Sequence, residues 1–291
     1  MARSTAPLSL TLSVSFVASV YAGGGAIPFK PYVKVLQPTQ RALIAWDGKE
    51  EIMVLTADLA APETVKVLEV MPLPSEPTVT KASTEVFLNA RNLINEKIRA
   101  LPKPPAGAPP HQIAAEITFN EKIGAHDITV ARLTQPEKFA EWVHAFLASN
   151  NVANPTIPPI VRRAAEDYIR EGYTWFVFDL VELDDNLKTI EAIQYRFRAA
   201  CLYYPVRISR GDLGSTSVEL LILTPGLLRE FPGVPVNRIE SRYPAFRVTS
   251  SEINSLNTDM NDLLGMRKEV SLRVWRLRGD LTTLDKDLLA K

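Results

Sequence analysis

Arg41-Ala42-Leu43-Ile44-Ala45-Trp46-Asp47-Gly48-Lys49-Glu50-Glu51-Ile52-Met53-Val54-Leu55-Thr56 is the stretch whose reading decides the fold. Its first six residues make an apolar, β-compatible run. Asp47-Gly48 supplies a turn, because both residues tolerate the positive φ that tight hairpin turns require. Lys49 to Thr56 returns as the partner strand, so the segment predicts a β-hairpin. Val65-Lys66-Val67-Leu68-Glu69-Val70-Met71 then alternates as a half-buried strand should. Pro72-Leu73-Pro74-Ser75-Glu76-Pro77 is expected to stop it, since proline has no amide hydrogen for a ladder.

Helix is expected over residues 84–100, with Val86, Phe87, Ala90, Leu93 and Ile94 as its apolar stripe. The run Pro102-Lys103-Pro104-Pro105-Ala106-Gly107-Ala108-Pro109-Pro110 favours an extended, semi-rigid connection. Short strands are expected at 113–119 and 124–133. Thr134-Gln135-Pro136-Glu137 has the form of a capping box. It should open a helix with Phe139, Trp142, Val143, Phe146 and Leu147 on one face, ended by Asn150-Asn151. A second helix, over 159–171, turns Val161, Ala164, Ala165, Tyr168 and Ile169 inward and carries Arg162–Glu166 and Glu166–Arg170 pairs outside. Gly172 is its natural stop.

Tyr173-Thr174-Trp175-Phe176-Val177-Phe178-Asp179-Leu180-Val181 reads as a central strand covered on both faces. Further strands are expected near 189–198, 203–209, 216–224 and 267–278, and 226–265 is irregular with one short helix. Strands and helices come in blocks, which argues an α+β fold of antiparallel or mixed sheets with a few packed amphipathic helices. A division into two lobes is expected: a β-rich one at 23–101, a Pro-rich linker or loop at 102–110, and an α+β one at 111–291.

The N-terminus carries a compartment signal. Arg3 is followed by no charged residue until Lys30, and Pro7 to Ala22 is apolar with interspersed serine and threonine. A positive start, an apolar core and small residues at its end make the pattern of a secretory signal peptide over residues 1–22, cut between Ala22 and Gly23. Retention as an anchor is the alternative, although a span needs about 20 predominantly apolar residues and serines dilute this one. The protein is therefore expected to be secreted or extracytoplasmic, periplasmic or on the cell surface. No transmembrane segment is expected in the mature chain.

Lys and Arg number 33, as do Asp and Glu. Losing residues 1–22 removes Arg3 alone, so the mature chain stays near neutrality. That balance gives no reason to bind nucleic acid. Cys201 is the only cysteine, which rules out an internal disulfide. In Ala199-Ala200-Cys201-Leu202 it reads as a small buried hydrophobe.

Chemistry is harder to find. His111, His126 and His144 share no metal-ligand spacing, so neither a metal nor a cofactor is expected. Asp184-Asp185-Asn186 lacks the alternation and glycine of a calcium loop and reads as a hairpin turn. Glu166-Asp167 lies beside arginines that already pair with it. No nucleophile elbow, phosphate loop or dinucleotide fingerprint occurs. Two acids for a hydrolase need only meet in space. The basic stretch Arg267 to Arg278 reads as an edge strand guarded by charge, or as an attachment to an anionic envelope polymer or lipid headgroups.

Several segments together resemble an exported bacterial and archaeal family catalogued as domain of unknown function 2330. They are Gly23-Gly24-Gly25-Ala26-Ile27-Pro28, Gln40 to Gly48, Leu73 to Pro77, Gly124-Ala125-His126-Asp127-Ile128, the Trp142 helix, Tyr168 to Gly172, and Tyr204-Pro205-Val206. The resemblance implies export and a shared fold and no assigned activity. Family members often place cysteine beside the glycines and some continue into a C-terminal membrane segment. Neither feature is expected here. An exposed Trp46-Asp47-Gly48 tip would be a contact surface, because exposed aromatic residues anchor interfaces.

Three roles follow as expectations. The first is a non-enzymatic extracytoplasmic binding or envelope-associated protein, its partner a cell-envelope component or another protein. The second is an extracytoplasmic hydrolase using a carboxylate pair. The third is a structural scaffold in an envelope complex.

Overall fold

The computed structural model describes residues 25–101, 127–152, 155–211, 215–283 and 285–291. In chain order the strands and helices begin with β1 (Ile27–Pro28), β2 (Leu36–Trp46), β3 (Glu50–Ala60), β4 (Val65–Leu73), β5 (Thr78–Ala82) and α1 (Glu85–Arg99). Next come β6 (Asp127–Arg132), α2 (Lys138–Ser149), α3 (Pro159–Arg170), β7 (Trp175–Leu183), β8 (Lys188–Thr189), β9 (Ala192–Arg198) and β10 (Leu202–Tyr204). The chain closes with β11 (Ser215–Thr224), β12 (Ile239–Ser241), β13 (Phe246–Val248), α4 (Ser250–Leu256), α5 (Thr258–Leu263), β14 (Val270–Asp280) and β15 (Leu288–Ala290). The fold is α+β.

The expected hairpin is β2–β3, paired in register from Trp46↔Glu51 back to Thr39↔Asp58. Gly48 has φ +104°, and the Asp47 carboxylate accepts the backbone N–H groups of Lys49 and Glu50 at 2.8 Å each. The hairpin is the middle of a nine-stranded sheet ordered β12-β14-β11-β2-β3-β9-β5, with β13 also on β14 and β8 on β3. Among the described residues its one parallel pairing is β2 with β11. A four-stranded antiparallel sheet, β1-β4-β7-β6, stacks against it.

Strand alternation sorts side chains into layers. Leu68, Val70, Phe176 and Phe178 leave the small sheet toward α2 and α3, where they meet Phe139, Val143, Tyr168 and Ile169. Met71, Leu73 and Val177 point the other way, onto Ala42, Ile44, Met53 and Leu220 of the large sheet. On the far side of that sheet Leu43, Val54 and Leu221 are covered by Phe87 and Ile94 of α1, Ile253 of α4 and Met260 of α5. The order is helices, small sheet, large sheet, helices. Each sheet is buried on both faces, as the near-continuous apolar run of β7 requires.

The strand pairing does not follow the expected division into lobes at 102–110. Within the large sheet, β2, β3 and β5 from before that point bond to β11 and β9 from after it. In the small sheet β4 bonds to β7. The linker itself, the strand expected at 113–119, His111 and His126 lie outside the described residues.

Several local expectations change. β4 continues through Pro72 to Leu73. The Pro72 carbonyl accepts the Tyr203 hydroxyl at 3.0 Å. In a strand a residue's nitrogen and carbonyl face the same side, so the missing amide hydrogen lies off the ladder to β7. The expected capping box at Thr134–Glu137 does not form: α2 has no side-chain cap, and Lys138 and Phe139 donate instead to the carbonyls of Gln135 and Pro136 in a tight opening turn. A capping box is found at Thr249 and Glu252, opening α4, the first of two short helices where one was expected.

The basic strand β14 is not an edge. It lies between β11 and β12/β13, and Arg276, only 9% exposed, pairs with Glu219 at 3.3 Å and sits opposite Glu240. Neighbouring strands supply the acids that face Arg276.

Candidate functional site

Acid chemistry converges between the two sheets. Glu69 and Asp179 occupy directly opposite positions on β4 and β7. Both fall on the positions that face the large sheet, in the rows that hold Met71 and Val177. They line a cavity of about 60 Å3 together with Glu191, Gln40, Tyr195 and Tyr204. Antiparallel neighbours of this kind lie about 4.5–5.5 Å apart at Cβ, and like charges there repel.

The tyrosines feel this charge. Burial, then Asp179 and Glu69, push the Tyr195 hydroxyl well above its ordinary range. Burial and then Glu69 do the same at Tyr204. The Tyr204 hydroxyl donates to Gln40 Oε1 at 2.5 Å, and Gln40 Nε2 donates to Gln37 Oε1 at 2.9 Å. This relay fixes the amide orientations along one cavity wall. At the rim Lys81 reaches Glu191 at 3.2 Å.

Size limits what the acids can do. A single water needs about 10–15 Å3 of such space, so the cavity takes a few waters. Ligand pockets ordinarily run from about 300 Å3 upward. A glycosidic bond flanked by two carboxyl groups does not fit.

Residues 17–230 match a family described as uncharacterized protein conserved in bacteria, DUF2330. The chain belongs to this family. No curated protein matches the chain. A crystal structure of baculovirus P35 aligns with 91% of this chain and 99% of that chain at a TM-score of 0.48 and 9% identity. A likeness of that size carries no argument about either protein's role.

Family segments meet at the cavity. Gln40 opens one of them and Tyr204-Pro205 belongs to another, and all three residues line the same space. Gly25, in the glycine run, is buried where a Cβ would come within 2.7 Å of Ile208 Cγ1. Ile27, fully buried, pairs with Leu68 as β1. These positions give the DUF2330 segments a part in packing the fold.

The residues expected from sequence are scattered. Ala22 and Gly23 lie outside the described residues. Trp46 is half-buried: its indole N–H donates to the Ala199 carbonyl at 3.0 Å and its ring packs on the inter-sheet core. Asp47 is engaged in the turn, and Gly48 is exposed at its tip. Asp184, Asp185 and Asn186 form a turn, but it joins two sheets rather than a hairpin, because β8 pairs with β3 and not with β7. Asp184 accepts the Asn186 N–H and pairs with Lys188. Glu166 pairs with Arg162 and Arg170 as expected.

His144 is exposed on α2. Cys201 is half-buried, its thiol pushed up by burial and then by Glu51. Among the described residues no cluster of three or more His, Cys, Asp or Glu is arranged to hold a metal. None of their helices is long and apolar enough to cross a membrane.

Sequence reading missed the Glu69–Asp179 pair. Its signal was present in each strand separately. Glu69 interrupts the inward row of an alternating strand, and Asp179 interrupts an otherwise apolar one. An acid on the buried register of a strand is the feature to follow.

Proposed function

We propose that the chain is an exported, non-enzymatic binding protein associated with the cell envelope. The tripartite pattern of residues 1–22 supports export, and the family resemblance points the same way. One observation carries the preference for binding over catalysis: Glu69, Asp179 and Glu191 meet in about 60 Å3 between two sheets. A polymeric substrate cannot reach acids held there. The carboxylate-pair hydrolase keeps only the direct Glu69–Asp179 pairing in its favour.

Purified mature protein, beginning at Gly23, is incubated with isolated cell envelopes and sedimented at moderate salt. It is expected in the pellet. If it stays in the supernatant, the envelope reading is lost. Mass spectrometry of the exported chain checks the Ala22–Gly23 cut. Release of a product from envelope glycans by the purified protein would favour the hydrolase.

A further inference from the structure

A second hollow lies on the opposite side of the large sheet from the acidic cavity. It is an open groove of about 310 Å3, bounded by β5, the start of α1 and the junction of α4 with α5. Unlike the inter-sheet cavity, it reaches the size range of small-molecule sites. Its polar lining includes Thr80, Asn89, Gln194, Asn257, Thr258 and Asp259.

Three of these side chains are locked by hydrogen bonds that leave no choice of orientation. Asn257 caps α5, its Oδ1 accepting the Met260 N–H at 3.0 Å. Its Nδ2 must then be the donor, and it gives a hydrogen bond to Gln194 Oε1 at 2.7 Å. That fixes the Gln194 amide in turn, so its Nε2 faces and donates to Asp259 Oδ2 at 2.7 Å. Gln194 is only 7% exposed. It anchors the chain from β9, beneath the groove. By inventory a second N–H of each amide and the other Asp259 oxygen remain for a ligand. The hydroxyls of Thr80 and Thr258 and the amide of exposed Asn89 add to them.

Charge narrows the ligand. Lys81 on the groove wall is paired with Glu191 at 3.2 Å. Acid is supplied by Glu85 and Asp259, so the groove offers no surplus cation and no arginine fork for a phosphate. Its lining is too polar for an acyl chain. What remains is a mixed array of fixed donors and acceptors. Hydroxyl groups match such an array, because each can donate and accept at once. Preorganised side chains also lower the ordering cost of binding.

We propose that this groove binds a neutral saccharide unit, held through its hydroxyl groups by Gln194, Asn257, Asp259, Asn89 and the two threonines. The proposal rests on the binding-protein reading above and names its ligand class.

The test is saturation-transfer NMR of the full mature chain with glucose, galactose, mannose and N-acetylglucosamine. At least one sugar is expected to bind saturably. Asn89→Trp, an exposed position on α1 outside the Gln194 network, and Thr258→Val should each weaken it about tenfold or more. Their melting temperatures should stay at the parent value. Absence of saturable binding by all four sugars, or binding indifferent to both substitutions, overturns the proposal. The two readings fail separately. Envelope co-sedimentation without sugar binding removes the groove and keeps the binder; sugar binding without co-sedimentation does the reverse.

Discussion

Glu51 and Asp287 are two acids buried to similar depth, and they are treated in opposite ways. Glu51, near the tip of the β2–β3 hairpin, is 0% exposed. Its Oε2 accepts the Tyr203 N–H at 2.8 Å, and its Oε1 has no partner among the described residues. Burial drives its carboxyl well above the usual range, opposed by that single bond. Asp287, just before β15, is 8% exposed. Its Oδ1 accepts the Tyr168 hydroxyl at 2.6 Å, the Arg207 N–H at 2.9 Å and the Val206 N–H at 3.0 Å. Arg207 stacks over the Tyr168 ring at 4.1 Å and is clamped by Glu171 through two 2.6 Å bonds. Burial raises Asp287 too, but its donors and the Arg207 charge pull back. The difference lies in the lone pairs: those of Asp287 organise its surroundings, while Glu51 is merely enclosed by them.

The largest effect should come from breaking the satisfied acid. Asp287→Ala strands two backbone amides and a tyrosine hydroxyl, and removes the tie between α3, the turn at 206–207 and β15. A loss of about 3–5 kcal/mol is expected, as for one partner removed from a buried charged network. Denaturant unfolding of mature protein measures it. A loss below about 1 kcal/mol would mean that Asp287 is as idle as Glu51.

Glu51→Gln should act the other way. A buried acid with a raised pKa takes up a proton on folding, and each tenfold by which folding tightens that proton costs about 1.4 kcal/mol once the pH is above both values. Glutamine keeps the acceptor for Tyr203 and has no proton to gain. Stability at neutral pH should therefore rise. Because the folded value is raised, Glu51's contribution is whole below the unfolded value near 4.5 and is lost as pH climbs through the folded one. The parent should weaken over that climb, and the glutamine variant should weaken less. Denaturant midpoints measured across the acid-to-neutral range decide it.

Tyr168→Phe sharpens the comparison at lower cost. It removes one of three donors to Asp287 Oδ1 and leaves the ring under Arg207. A loss of about 1–2 kcal/mol is expected, a single hydrogen bond to a charged acceptor. In an Asp287→Asn background the two losses should not add, because the residues share one network.

Much of this architecture was legible in the chain, and the missing parts share a cause. The hairpin, α1, α3 and β7 show in local signals: a turn that needs Gly48, a 3.6-residue apolar stripe, an aromatic run. What stayed hidden was pairing across long separations. β2 lies parallel to β11, and nothing within Gln40–Ala45 says which distant strand it bonds. The reading of β14 as an edge failed for the same reason, since Glu219 neutralises Arg276 from another strand. Glu69 and Asp179 each looked like a lone polar residue until register set them opposite each other. The groove above β9 depends on Gln194 and Asn257, polar residues with no motif around them, and only their mutual hydrogen bond marks them. Register is the quantity that alternation alone does not carry between distant strands.

The smallest effect belongs to an acid in the open. Asp184 pairs with Lys188 and accepts the Asn186 N–H, and those bonds lower its carboxyl to about 2. The direction is the reverse of that at Glu51, and so is the sign. Its contribution is present above the unfolded value near 3.8 and disappears as pH falls through about 2. Both side chains keep about 30% of their surface exposed, so solvent screens the pair and leaves little for it to stabilise. Asp184→Asn should move the neutral-pH melting temperature barely at all, and whatever change it gives should shrink with added salt. A change as large as that of Tyr168→Phe, persisting at high salt, would show that the turn between the sheets matters to the fold as much as the buried network does.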